Sequence, residues 1–133
     1  MTMDKTVQSH RDLTVWQKAM DLAVEIYRLT AKLPHSENYR LVAQITRAAA
    51  SVPANIAEGH ARATRKDFAN FIAIAKGSLM ETETFLTLAV RLSYLSQSEA
   101  SGTFGLITEI SKMLTSLRNR LKEAERSEGR AAL

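Results

Sequence analysis

Apolar positions recur every three to four residues along most of this chain, and the breaks in that rhythm fall at prolines, glycines and short polar runs. Such spacing puts side chains on one side of a helix. The first stretch, LTVWQKAMDLAVEIYRLTAKL, carries Trp16, Ala19, Ala23, Ile26, Thr30 and Leu33 at this interval, with Met20 and Tyr27 widening the stripe. Asp12 or Thr14 is expected to cap its start by accepting from a free N–H, and Pro34 to end it. Ser36 is expected to open the second helix, whose stripe is Tyr39, Val42, Ile45, Ala49, Val52 and Ile56. Pro53 lies inside that pattern. Because the period survives to Ile56 and Ala57, the proline predicts a kink rather than a stop. Gly59 is placed to cap the helix in a positive-φ conformation.

Thr64 and Asp67 read as a capping box for a third helix, with Asp where Glu is usual. From Phe68 to Leu95, 17 of 28 residues are apolar. One seam runs through Phe68, Ile72, Ala75, Leu79, Thr82, Leu86 and Ala89, and a second through Phe71, Ile74, Ser78, Glu81, Phe85, Leu88 and Leu92. Together they cover roughly 200° of helix surface, more than one bundle position buries, so this helix is expected to meet another subunit. Ser96 and Glu99 make a second capping box, followed by Phe104, Ile107, Ile110, Leu114, Leu117, Leu121 and Ala124. Gly102 and Gly105 weaken the first turn of this fourth helix. Four long helices with short turns predict an all-α, antiparallel up-and-down four-helix bundle. The expected organisation is an N-terminal arm over 1–11, the bundle over 12–127 and a frayed tail over 128–133.

Composition changes this picture little, but charge adds to it. The chain has 133 residues and no cysteine, which excludes disulfides and thiolate chemistry. No window is apolar for long enough to span a bilayer and no signal-peptide pattern opens the chain, so a cytoplasmic protein with no membrane role is expected. The net charge is +4. Cutting each helix near residues 23, 48, 80 and 113 assigns twelve bases and eight acids to the end holding both termini and the 59–65 turn. The other end has six of each. The whole surplus therefore belongs to one end, where a ring of subunits would multiply it into a basic collar able to hold phosphate backbones.

Catalytic and metal chemistry is sparse. No Glu-x-x-His pair, phosphate-binding glycine loop or nucleophile elbow occurs, so no metal and no cofactor is expected. Glu58 and His60 flank Gly59 at a helix end, where solvation and capping are the ordinary roles. Glu81 lies among apolar neighbours in the second seam, and a carboxylate there needs a donor; Arg47 is the candidate. Asn55 and Glu58 share a face after Pro53. Arg47, Asn55, Glu58, Ser78 and Glu81 are therefore read as a structural polar network that sets helix register, with Gly77 and Ser78 allowing close helix approach. A ligand site, or an enzyme using Asn55, Glu58 and Glu81, is the competing reading. Trp16, Phe68 and Phe71 fall on core faces and read as packing rather than base stacking.

The strings DLTVWQKAMDLAVEIY, RAAASVPANIAEGHAR and DFANFIAIAKGSLMETE carry a resemblance. The chain resembles the bacterial four-helix bundle proteins named for open reading frames within intervening sequences of large-subunit ribosomal RNA genes. The motif positions are Arg47, Ser51, Pro53, Asn55, Glu58, Gly59, Arg62, Phe68, Gly77, Ser78 and Glu81, with His60 a departure in a variable turn. The resemblance implies a ring-like homopentamer and no established activity. The ribosomal-protein label sometimes attached to the family records gene location rather than ribosome membership. The family is also similar to accessory proteins of diversity-generating retroelements, which bind nucleic acid and a reverse transcriptase. Two functions follow as expectations. The first is a non-enzymatic oligomer that binds RNA or DNA non-specifically through Arg62, Arg65, Lys66, Arg118, Arg120 and Lys122. The second is a scaffold for an unknown protein partner with no nucleic-acid role.

Overall fold

The computed structural model describes residues 9–132, with side chains as far as Arg130. Its helices are α1 (Thr14–Thr30), α2 (Leu41–His60), α3 (Arg65–Arg91) and α4 (Gln97–Ala132), with single 3-10 turns at His10–Asp12 and His35–Glu37. No strand occurs among the described residues, and the fold is the all-α four-helix bundle that the periodicity predicts. Both α1 and α3 pack on α2 and α4, so α1 faces α3 across the diagonal. Of the expected arm, residues 1–8 lie outside the described residues, while Ser9 caps the His10–Asp12 turn through a reciprocal bond with Asp12. Residues 128–132 lie within α4.

The core is a continuous apolar column. Leu22 and Ile26 of α1, Ile45, Val52 and Ile56 of α2, Ile72, Leu79 and Leu86 of α3, and Ile107, Ile110 and Leu114 of α4 are fully buried or nearly so. Truncating any one of these leucines or isoleucines to Ala costs about 2–5 kcal/mol, because the lost transfer energy is joined by a cavity term. The first α3 seam lies on this column. In α1 and just after it, Ala19, Ile26, Thr30 and Leu33 of the expected stripe are buried and Trp16 and Ala23 half-buried. The stripe widens towards Leu22 and Leu29, which are buried, and not towards Met20 and Tyr27, which are exposed. Packing against both α2 and α4 centres the buried arc between those helices.

Several helix ends differ from expectation. Neither Asp12 nor Thr14 caps α1; its N-cap is Leu13, without a side-chain bond, and the Asp12 carboxylate accepts from the Ser9 N–H instead. Pro34 leads into the His35–Glu37 turn, so Ser36 does not open α2, which begins at Leu41. Tyr39 consequently sits in the connection and is 97% exposed. Pro53 is inside α2 and buried, and the helix continues past it. Gly59 does not cap in a left-handed conformation, since α2 runs on to His60 and no described glycine has positive φ. A Cβ at Gly59 would lie 2.7 Å from Phe71 Cβ and 3.3 Å from the Phe68 carbonyl oxygen. The glycine is there for close approach of α2 to α3.

Thr64 caps α3 by accepting from the Asp67 N–H at 3.1 Å. The other end closes in a Schellman arrangement: Ser93 N–H donates to the Val90 carbonyl and Tyr94 N–H to that of Ala89. Ser93 occupies the left-handed position, with φ 63°. The Ser96–Glu99 capping box forms in both directions, at 3.0 and 2.9 Å, and Lys32 reaches across from the α1–α2 connection to Glu99 at 2.8 Å.

Candidate nucleic-acid interface

Antiparallel topology brings the start of α3 beside the C-terminal turns of α4, so the bases of both collect at the end of the bundle that holds the start of α1 and the end of α4. Their surroundings differ. Arg62, just after α2, donates to Glu58 Oε1 one turn back at 2.8 Å, and its guanidinium lies 4.7 Å from the centre of the Phe71 ring. Arg65, in the first turn of α3, pairs with Glu128 of α4. These two cations already have carboxylate partners. Lys66 is exposed, and no carboxylate partners it among the described residues. With Phe68, Glu125 and Glu128, these three cations line a cleft of about 690 Å³ whose charge is mixed in sign.

The three α4 cations divide between two sides of that helix. Arg118 faces α3, where it lines a groove with Lys76, Gly77, Thr115 and Asn119. Lys122, one turn on, shares its face. Arg120 faces the other way, into a cleft with Asp12, Thr14 and Leu117. None of the three has a carboxylate partner among the described residues. The six expected contact residues thus form one cluster around the α2–α3 connection, one on the α3 side of α4 and a single residue on the α1 side.

The expected polar network is assembled only in part. Ser51 and Ser78 share a hydroxyl hydrogen bond of 2.9 Å across α2 and α3. The Asn55 amide donates to the Ser51 carbonyl at 2.8 Å and to its hydroxyl at 2.9 Å. Glu58 belongs to Arg62 rather than to this group. Arg47 and Glu81 do not pair: Arg47 donates to Gln44 Oε1 at 3.3 Å, and both residues are exposed. The second seam turns outward at Glu81, where water hydrates the carboxylate and no donor is required. Nor does Gly77 bring helices together, since a Cβ there would meet nothing within 4 Å. Asn55 and Glu58 are held by Ser51 and Arg62, so Asn55, Glu58 and Glu81 do not converge on a common point.

Sequence reasoning passed over two surfaces. One is the α3–α4 groove, for which a glycine at mid-helix beside Lys76 was the available signal. The other is an apolar groove of about 370 Å³ between α1 and α2, where Trp16 and Met20 flank the small residues Ala50, Pro53, Ala54 and Ala57. The second α3 seam leaves Ile74 at 51%, Leu88 at 43% and Leu92 at 48% exposed. Among the described residues there is no cluster of three metal-ligating side chains, and no helix is long and apolar enough to cross a membrane.

The profile of the family described as "23S rRNA-intervening sequence protein" matches residues 11–116. No curated protein matches the chain. A crystal structure of a protein with unknown function from the S23 ribosomal protein family, from Bacteroides thetaiotaomicron, is 32% identical, with a TM-score of 0.74, over 79% of this chain and 98% of that one. Neither description assigns an enzymatic activity.

Proposed function

The chain belongs to the 23S rRNA-intervening sequence protein family, and from that premise we propose that it is a non-enzymatic, cytoplasmic homo-oligomer that holds RNA or DNA by its phosphate backbone. The observation that carries this reading is the division among its bases. Arg62 and Arg65 are neutralised by Glu58 and Glu128, whereas Lys66, Arg118, Arg120 and Lys122 have no carboxylate partner among the described residues. An unpaired cation meets a phosphate without first losing a carboxylate, and each contact releases a counterion from the nucleic acid. Such contacts position a strand without reading its bases, so binding is indifferent to sequence.

The assembly in this reading is a homopentameric ring, as the family resemblance implies. Its support is the pair of unlike apolar surfaces on different sides of the bundle. The α3 ridge of Ile74, Leu88 and Leu92 is built of large side chains, and the α1–α2 groove of small ones. A ridge on one copy seated in the groove of the next makes a head-to-tail contact, and such contacts close into rings when the rotation permits. Light scattering should then give five chains per particle, and Leu88→Glu should lower that number.

The binding reading is tested by fluorescence anisotropy of a labelled RNA against two sets of substitutions. Lys66, Arg118 and Lys122 changed together to Gln should abolish most of the affinity. Arg62 and Arg65 changed to Gln should retain most of it. Equal losses in the two sets would overturn the argument from unpaired charge. Absence of binding by the unaltered chain at low salt would overturn the nucleic-acid role and leave a protein scaffold, whose partner would bind with little salt dependence.

A further inference from the structure

We infer that the groove between α3 and α4 is a phosphate site, with Arg118 as its main donor and Gly77 as its open wall. The inference rests on the nucleic-acid reading for its ligand in the cell, but its chemistry is independent of that reading. The groove encloses about 360 Å³ and no carboxylate lines it among the described residues. Lys76 Nζ donates to Thr115 Oγ1 at 2.6 Å, a neutral acceptor that leaves the ammonium charge uncompensated. Arg118 Nε is buried and has no acceptor among the described residues. A buried N–H without an acceptor is a costly and uncommon state. An anionic oxygen in the groove would be the missing acceptor. Carboxylate and phosphate both match the guanidinium fork two at a time, and phosphate is the one a nucleic-acid strand would present here. Seating an oxygen on Nε needs the Arg118 side chain to turn towards the groove, because that atom is closed to water. Asn119 adds a neutral amide to the same wall.

Gly77 is the second, independent observation. Glycine within a helix lowers its stability, and here no neighbouring helix of the same chain requires it, because a Cβ would meet open space. The residue keeps the α3 side of the groove low where a ligand would approach. The spacing Lys66, Asn70, Ala73, Gly77 follows one face of α3, and Arg118 and Lys122 follow one face of α4. The groove therefore continues towards two further unpaired cations, as a strand with successive phosphates would need.

The test titrates inorganic phosphate, and separately a short single-stranded RNA, into the full chain, following the Lys76 and Thr115 amide resonances. Arg118→Met and Gly77→Leu should each weaken phosphate binding about tenfold or more, the scale of one charge-assisted hydrogen bond. Lys112→Met, the same charge loss elsewhere on α4, should leave it unchanged. Arg118→Met should melt at or above the unaltered chain, since it removes an unsatisfied donor; if it fails to fold, Gly77→Leu decides alone. Phosphate that leaves these resonances unmoved, or moves them equally in the groove variants, overturns the site. RNA and phosphate binding that both survive the groove variants keep the nucleic-acid reading and overturn the site. RNA binding that survives them while phosphate binding is lost keeps the site and overturns RNA as its ligand. Phosphate binding lost in those variants, with no RNA binding by any chain, keeps the site and overturns the nucleic-acid reading.

Discussion

Gly59 and Gly77 lie on adjacent helices of one bundle, and the same substitution to Ala should move stability in opposite directions at the two. Both are helical, so Ala brings each about 0.5–1 kcal/mol from reduced backbone freedom in the unfolded chain and better helix propensity. At Gly77 nothing opposes that gain, because the added Cβ meets no atom within 4 Å. The expected net is stabilisation of about 0.5–1 kcal/mol, a rise in Tm of about 2–5 °C for a domain of this size. At Gly59 the added Cβ would stand 2.7 Å from Phe71 Cβ and 3.0 Å from Phe68 Cδ1. Phe71 Cβ is fixed to the α3 backbone and cannot swing aside, so the helices must separate. Overpacking of this kind costs about 1–3 kcal/mol, which exceeds the propensity gain and leaves Gly59→Ala destabilised by about 1–2 kcal/mol. Urea unfolding followed by circular dichroism, at one protein concentration for all three chains, measures both. A Gly59→Ala chain as stable as the unaltered one would refute the claim that this glycine sets the α2–α3 spacing.

Ser93→Gly should stabilise by about 1 kcal/mol, since a serine held at φ 63° carries the left-handed penalty that glycine escapes; a thermal melt checks it, and an unchanged Tm would argue against the Schellman closure. Ser51→Ala and Ser78→Ala, made singly and together, should show a coupling of about 0.5–1.5 kcal/mol in a double-mutant cycle if their 2.9 Å hydrogen bond contributes as ordinary ones do. The Glu99 carboxyl is lowered from 4.5 to about 2, first by the bond from Lys32 and then by the Ser96 backbone and hydroxyl. A folded value below the unfolded one means that this contribution to stability is present above about pH 4.5 and lost as pH falls towards 2. Lys32→Met should raise the Glu99 value towards 4.5 in a carboxyl NMR titration.

Much of the fold was legible because long helices write their buried faces into the sequence at a fixed interval. The first α3 seam, from Phe68 to Ala89, lies on the core as read. Local chemistry was legible where it was local: Ser96 and Glu99 form their capping box in both directions, while of the Thr64–Asp67 box only the bond from the Asp67 N–H to the Thr64 hydroxyl forms. What escaped depends on neighbours distant in sequence. Tyr39 fits the α2 period, yet α2 begins two residues later, a boundary that periodicity alone does not mark. Gly59 precedes a turn and looks like a cap until Phe71 of the next helix is placed against it. The Arg47–Glu81 pair assumed a buried seam, and the outward turn of that side of α3 removed the need for it. Lys76 and Arg118 are 42 positions apart, and only the packing of α3 on α4 makes them walls of one groove.

The central claim is that unpaired bases at one end of the bundle hold a phosphate backbone, and the salt dependence of binding to single-stranded RNA tests it most directly. If Lys66, Arg118 and Lys122 each neutralise a phosphate, log K should fall linearly with log salt with a slope of about −2 or steeper, single strands contributing roughly 0.7 per contact. A flat dependence, or no association at low ionic strength, would contradict the account.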